Sequence, residues 1–352
     1  MKKYCLIAFT TLSLFAYAQE DTTSSEDDFD FSEFELAAEP AKVFCNNKVL
    51  GQSPTSLVGV FYNHQLGHDL PILDANENEL DRATINAAQQ VSLVGNFPVL
   101  SRNNILINLG VTYQEQRYSM EGGNGHPLLE HLNNEVLRRT NITVTVFKPL
   151  NEKTFILAQL GSELNGDYAF DPDFSKLRVP FALLYGFKPS DRLMYGFGAS
   201  RTYLGGALNY VPVIYYYHTF QNQKWGVEAL LPARASLRYR FNSTSLMALG
   251  WNVNGATFAM NNFGEYVDPL SSYFPQDVEL RRSEIRMGLS YSRQISGFFW
   301  LSAEAGYRIN YSYDLDENGD FLRFFGSDDP YYVNTGLENP VYFTIGLSYV
   351  SP

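Results

Sequence analysis

The sequence predicts an all-β fold: a transmembrane, antiparallel up-and-down β-barrel of fourteen strands, with short turns at one end and long loops at the other. Three observations carry this. The chain ends in VYFTIGLSYV (341–350), where every odd position is apolar and most even positions are small or polar, so a strand there has one greasy and one polar face. Similar alternating segments of roughly ten residues recur from about residue 54 onward, broken by Gly, Asn, Asp and Pro. A soluble sandwich also alternates, and the third observation, an export signal at the N-terminus, tips the balance toward a barrel in a membrane beyond the inner one.

The signal comes first in the chain. Met1-Lys2-Lys3 is a positive start, Tyr4 to Phe15 is uncharged and apolar, and Ala16-Tyr17-Ala18 puts small residues where a signal peptidase cuts, so residues 1–18 are the signal and Gln19 starts the mature protein. Cys5 lies too early to follow a lipobox, and its removal leaves Cys45 as the only cysteine, which excludes an intrachain disulfide. After the signal no stretch approaches the roughly 20 apolar residues that a spanning helix requires.

An acidic arm follows. Residues 19–40 hold nine Asp/Glu and no Lys or Arg; the signal lysines contribute +2 and the arm −9 to the formal charge of −12, leaving −5 for the rest. Such a segment buries too little apolar surface to offset its ordering entropy, so 19–53 reads as a mostly disordered periplasmic arm. The spacing of Phe29, Phe31 and Phe34 leaves room for a docking or plug peptide.

The barrel domain is expected over 54–352. Its strands are predicted at 54–64, 84–98, 103–117, 136–148, 153–165, 175–187, 191–203, 207–219, 223–231, 233–242, 244–258, 282–294, 298–313 and 341–350. In 103–117 the apolar series is Ile105, Ile107, Leu109, Val111 and Tyr113, against Asn108, Gly110, Thr112 and Gln114 on the other face. Connections at 99–102, 149–152, 188–190, 220–222 and 295–297 are short, and those at 65–83, 118–135, 166–174, 260–281 and 314–338 are long, as expected for periplasmic turns and external loops. That alternation holds only if 223–242 is split at Leu231-Pro232-Ala233, where proline cannot donate to a ladder. Without that split and the first strand, the count falls to twelve.

The polar faces place Arg139, Glu163, Arg178, Glu228, Arg234, Arg238, Arg240, Glu284, Arg286, Glu304 and Arg308 toward the lumen, because a charge facing lipid near the midplane costs about 2–4 kcal/mol. Pairing 294 with 298 sets Glu284 opposite Arg308 and Arg286 diagonal to Glu304, ion pairs that brace the wall. Arg234, Arg238 and Arg240 form a ladder on one strand with fewer acidic partners, which would favour anions.

Asp314, Asp316, Asn318 and Asp320 fit the first half of a calcium loop, with Gly319 in the turn, but Phe325 stands at the twelfth position where a bidentate Glu belongs. No cysteine accompanies the His64/His68 or His126/His131 pairs, and no serine and carboxylate can be placed beside His218. No phosphate-binding glycine loop is present and the charge is acidic, so the sequence carries no enzyme, cofactor or nucleic-acid signature.

Together these features resemble Gram-negative outer-membrane β-barrels over about 54–352. Thr344, Gly346 and Tyr349 match the C-terminal assembly signal of that class, although Ser351-Pro352 replaces its usual aromatic end. The resemblance implies an outer-membrane location in contact with lipid and recognition of the last strand by the barrel-assembly machinery. The chain is most similar to uncharacterised barrels, domains of unknown function, common in Bacteroidota-like bacteria, and loosely resembles fatty-acid-transporter-type barrels in strand number and N-terminal segment. The expected function is passage of a small solute through a polar lumen, or alternatively a closed structural barrel whose external loops bind a partner.

Overall fold

The computed structural model describes residues 49–74, 78–123, 125–168, 173–203, 208–261, 263–267, 278–317 and 333–350. The signal and the acidic arm up to residue 48 lie outside them, as do Asn318 and Asp320.

The strands in chain order are β1 (Ser56–Gln65), β2 (His68–Leu73), β3 (Glu79–Arg102), β4 (Ile105–Gly122), β5 (Leu137–Pro149), β6 (Thr154–Gly166), β7 (Phe181–Ser190) and β8 (Leu193–Thr202). They continue with β9 (Asn209–Thr219), β10 (Trp225–Leu231), β11 (Arg234–Asn242), β12 (Ser245–Ala259), β13 (Val278–Ser296), β14 (Phe299–Glu317), β15 (Asn334–Thr335) and β16 (Val341–Val350). One helix, α1 (Pro127–Asn134), interrupts the loop after β4. Fourteen of these strands close an antiparallel barrel, because β1 pairs with β16 on one side and β3 on the other. The two others, β2 and β15, pair with each other above β1 and continue the wall between β3 and β14. All fourteen predicted strands are present, including the split at Pro232: β10 ends at Leu231 and β11 begins at Arg234.

The outer surface follows from the two-residue period. Val58, Val60 and Tyr62 of β1, Leu289 and Tyr291 of β13, Leu301 of β14, and Phe343, Ile345 and Leu347 of β16 are exposed large apolar side chains. Such a belt is unfavourable against water and has the composition of a surface that lipid tails solvate. Near the short turns it ends in aromatic contacts: Trp225 with Tyr239 at 4.7 Å, Tyr239 with Phe241 at 4.9 Å, and Phe299 with Tyr349 at 5.4 Å between ring centroids. Aromatic rings at that level suit the boundary between apolar tails and headgroups.

The wall is uneven in height. The 24-residue β3 spans roughly 80 Å at about 3.3 Å per residue, well over what a tilted strand needs to cross a bilayer. β4, β13 and β14 are also long, at 18, 19 and 19 residues, whereas β7 to β11 run 7 to 11. The long strands extend into the segments expected to be loops, so the predicted 260–281 and 314–338 connections are shorter by several residues at their strand ends. Inside this tall side, at the long-loop end, sits an apolar core that joins Leu70 and Ile72 of β2, Ile85 of β3, Leu128, Leu129 and Leu132 of α1, Phe258 of β12, Leu280 of β13 and Leu315 of β14. It caps the lumen at that end.

The β13–β14 hairpin departs from its expected register. Ser296 pairs with Phe299 and Gln294 with Trp300, so Arg286 rather than Glu284 lies opposite Arg308. Gly297, with φ +51°, makes the turn tighter by confining it to two residues, and an irregularity between Gln294 and Ser296 absorbs the difference. A shift of two residues leaves every side chain on its predicted face.

Candidate functional site

The lumen is where the fold concentrates buried charge. Ser290 Oγ and Ser302 Oγ face inward, donating to the Ala248 and Gly346 carbonyls, so the alternation delivers the even positions of β13, and of β14 as far as Asn310, to the interior. From that face Arg286 donates through Nε to Glu284 Oε1 at 2.6 Å, with Nη2 also 2.6 Å from it, and Arg308 Nη1 lies 3.3 Å from Glu284 Oε2. The ion pair expected between Glu284 and Arg308 therefore exists, formed diagonally. Arg286 stacks over the Tyr342 ring, whose hydroxyl donates to Glu304 rather than leaving that carboxylate for Arg286.

The network crosses the barrel. Arg139 on β5 pairs with Glu163 on β6 at 2.8 Å and donates to Asn254 Oδ1 on β12 at 3.2 Å; Asn254 Nδ2 donates in turn to Glu284 Oε1 at 3.2 Å. β5 and β12 stand nearly opposite one another in the strand order, so these bonds bridge the lumen. Further toward the long-loop end, five residues beyond Asn254, the ends of β6 and β12 meet as a parallel bridge, Gly166 with Ala259, and Asp167 N–H donates to the Ala259 carbonyl. The cross-section is constricted there.

Arg178 departs from the expectation. β7 starts at Phe181, so Arg178 lies in the preceding connection, where its backbone bridges Glu163 and its side chain pairs with Glu279 at 2.7 Å and covers the Tyr203 ring. Asp314 and Asp316 belong to β14, not to a loop, and Asp316 pairs with Arg281 at 2.8 Å. With Asn318 and Asp320 outside the described residues, the calcium set is not seen assembled; no group of three or more His, Cys, Asp or Glu among the described residues is placed to hold a metal.

The basic ladder is not free. Arg238, 1% exposed, donates to Glu228 Oε1 at 2.9 Å and to Thr219 Oγ1 at 2.9 Å; its guanidinium lies over Gly226, where a side chain would displace it. Arg240 donates to the carbonyls of Gly51 and Gln52 at 3.2 and 3.0 Å, and Arg234, exposed to the lumen, reaches the Tyr217 hydroxyl at 3.4 Å. The unpaired ladder is corrected on this geometry: two of its three arginines are used on a carboxylate and on backbone carbonyls.

Those carbonyls belong to a strap. Residues 49–53, expected within a disordered arm, cross the short-turn mouth from β1 to the β10–β11 wall. Val49 is 3% exposed among Phe147, Phe155, Leu184, Met194 and Tyr217. Leu50 N–H donates to the Asp191 carbonyl at 2.8 Å and Ser53 N–H to Glu228 Oε1 at 2.8 Å. A recess of about 510 Å³ opens beside it, lined by Leu50 to Gln52 and by the turns at 222–224 and 241–243. The inward faces that receive Val49 are apolar, with Val213 and Tyr215 of β9 packed against the cluster, so the rule of apolar out and polar in fails here.

The C-terminal residues singled out as an assembly signal lie at the seam. Thr344 Oγ1 accepts from Asn63 Nδ2 at 2.8 Å, Tyr349 faces outward against Phe298 and Phe299, and the Phe61 ring occupies the place a Cβ at Gly346 would need. His218, the strand histidine, contacts the Tyr216 hydroxyl at 3.2 Å and the Phe220 ring.

A family described as a domain of unknown function (DUF6268) matches residues 124–350. No curated protein matches the chain. Among solved structures, the COG4313 outer membrane channel from Pseudomonas putida F1 is similar at 10% identity over 87% of this chain and 98% of that one, with a TM-score of 0.41. A FadL homologue from Pseudomonas aeruginosa is similar at 9% identity over 83% and 90%, with a TM-score of 0.37. The KdgM porin in complex with disordered oligogalacturonate is similar at 9% identity over 84% and 99%, with a TM-score of 0.34.

Proposed function

The chain belongs to the family described as a domain of unknown function (DUF6268), and on the lumen described above we propose that it is a gated outer-membrane barrel for passage of a small solute. In this reading residues 1–18 direct export, the apolar belt sits in outer-membrane lipid, the barrel-assembly machinery engages β16, and the short-turn end faces the periplasm. One observation carries it: a segment of the chain outside the wall strands, residues 49–53, crosses the short-turn mouth. Its anchors are one buried valine, three backbone carbonyls or N–H groups on Glu228 and Arg240, and one on a turn. None of these anchors is a bond of the barrel ladder, so release of the strap would leave the ladder intact. The reading gives the chain no enzymatic chemistry.

A second reading, a closed structural or surface-interaction barrel, is favoured by the apolar core that caps the long-loop end. Planar-bilayer conductance of the refolded mature chain, beside a Val49→Asp variant, separates the two. Brief openings that lengthen in the variant support passage; silence in both supports the closed barrel.

A further inference from the structure

The lumen network is unbalanced in charge around one carboxylate. Arg286 takes Glu284 Oε1 through both Nε and Nη2, which leaves a single oxygen, Oε2, for two further guanidinium groups. Arg308 Nη1 approaches it to 3.3 Å and Arg282 Nε to 4.0 Å, and neither is aligned for a hydrogen bond. Arg308 Nε, Arg308 Nη1 and Arg282 Nε have no hydrogen-bond partner among the described residues, and both side chains are 2% exposed or less.

The neighbours supply only part of the missing negative charge. Glu163 is paired with Arg139, and Glu304, which keeps its charge while accepting from the Tyr342 hydroxyl, lies on the Arg286 side of the cluster. His68 Nδ1 lies 2.8 Å from the Leu66 carbonyl and Nε2 lies 3.5 Å from Arg308 Nη2, which fits a neutral ring. Arg282 otherwise meets Gln116 Oε1 and the Phe258 ring, both neutral. Three guanidinium groups thus face one carboxylate, and with Glu304 counted one positive charge remains in excess on the Arg282 and Arg308 side, in a place largely closed to water. Buried charge of one sign without a partner is strongly unfavourable.

We propose that Arg308 and Arg282, beside Glu284, form a binding site for a small inorganic anion of halide size at the lumen constriction. Arg308 Nη1 and Arg282 Nε lie within 4.0 Å of Glu284, with the Phe258 ring against Arg282 and the Tyr118 hydroxyl beside both arginines, which suits a compact anion over a solute with a carbon body. The inference rests on the passage reading for the anion's route through the lumen, and the binding step stands without conduction.

Bromide is the probe. Crystals of the full mature chain grown in sodium bromide, measured at the bromine edge, should show an anomalous peak within hydrogen-bond range of Arg308 Nε or Arg282 Nε. Arg308→Gln should weaken bromide binding by about tenfold or more, as expected for losing a hydrogen bond to a charged group. Arg282→Gln, which removes the second donor and lowers the positive excess, should weaken it likewise, and this second variant keeps the test open if the first fails to fold. Bromide found only at the surface, or an Arg282→Gln barrel that binds as tightly as the unaltered one, overturns the site. A lumen peak in a barrel that never conducts supports the site and removes only the passage reading; conduction without the peak does the reverse.

Discussion

Glu228 Oε1 lies 2.9 Å from Arg238 Nε, and the same oxygen accepts the Ser53 N–H at 2.8 Å. A single carboxylate therefore neutralises the most deeply buried arginine of β11 and holds the strap. Their positions are diagonal on the β10–β11 hairpin, with Gly226 opposite Arg238 making room for the guanidinium. Removing the carboxylate charge leaves Arg238 buried without a counter-ion, which costs about 3–5 kcal/mol. Glu228→Gln should lower the denaturant midpoint of the refolded barrel accordingly, while Arg234→Gln, exposed and holding one long contact, should move it by less than about 0.5 kcal/mol. Equal shifts would show that Glu228 is not an anchor.

The strap itself is tested at Val49. Burial of a valine contributes about 1.5–3 kcal/mol, so Val49→Asp should raise the open fraction in single-channel recordings by roughly tenfold or more. An unchanged open fraction would show that the strap does not gate.

On the lipid face, Leu289→Arg and Leu301→Arg each place a charge on an exposed outward position of the belt, at about 2–4 kcal/mol. Ser290→Arg and Ser302→Arg point into the lumen and should be tolerated better. Heat-modifiable gel mobility after refolding reads both sets, and equal damage would place the faces wrongly.

Orientation is checked by insertion. An epitope at Gly125, where nothing stands within 4 Å of an added Cβ, should be reached by antibody on intact cells; one at Ser190, beside the short β7–β8 turn, should not. The opposite accessibility would invert the barrel.

The long-loop cap should loosen in acid. Burial, the largest cause in each, holds the His68 and His126 rings below the ordinary 6.5, so the folded state keeps them neutral where the unfolded chain is protonated. Their effect on stability is constant above about 6.5 and turns against the folded state as pH falls from there toward the lowered folded values. Hydrogen exchange of α1 should be faster at pH 5 than at pH 7.5, relative to the intrinsic rates; unchanged protection would remove these histidines as the cause.

The strand ladder was legible because a period of two, repeated fourteen times with short and long connections in alternation, over-determines the faces. The hairpin register was not, since the turn residues Gly297 and Phe298 fix it through a backbone angle that hydropathy does not encode. Arg238 and Arg240 could be placed inside from their own strand, but their partners Thr219, Glu228, Gly51 and Gln52 come from other segments. The strap gives no local signal at all: Val49-Leu50-Gly51-Gln52-Ser53 has neither periodicity nor charge, and only its docking surface orders it. Helix α1 did carry a readable mark, Pro127 in the first turn and Leu128, Leu129 and Leu132 on one side.

The position of the strap also constrains the order in which the molecule is made. Its pocket is on β10–β11 and the β7–β8 turn, while its own covalent neighbour is β1, whose partners are β16 and β3. The β1–β16 seam joins residues from the two extremes of the barrel sequence, a contact of very high sequence separation and therefore late to form. Phe61 must settle on Gly346 as that seam zips. The strap, synthesised before any wall strand, therefore ties the seam side of the barrel to the wall across from it, and it spans a closed mouth only once that seam has joined.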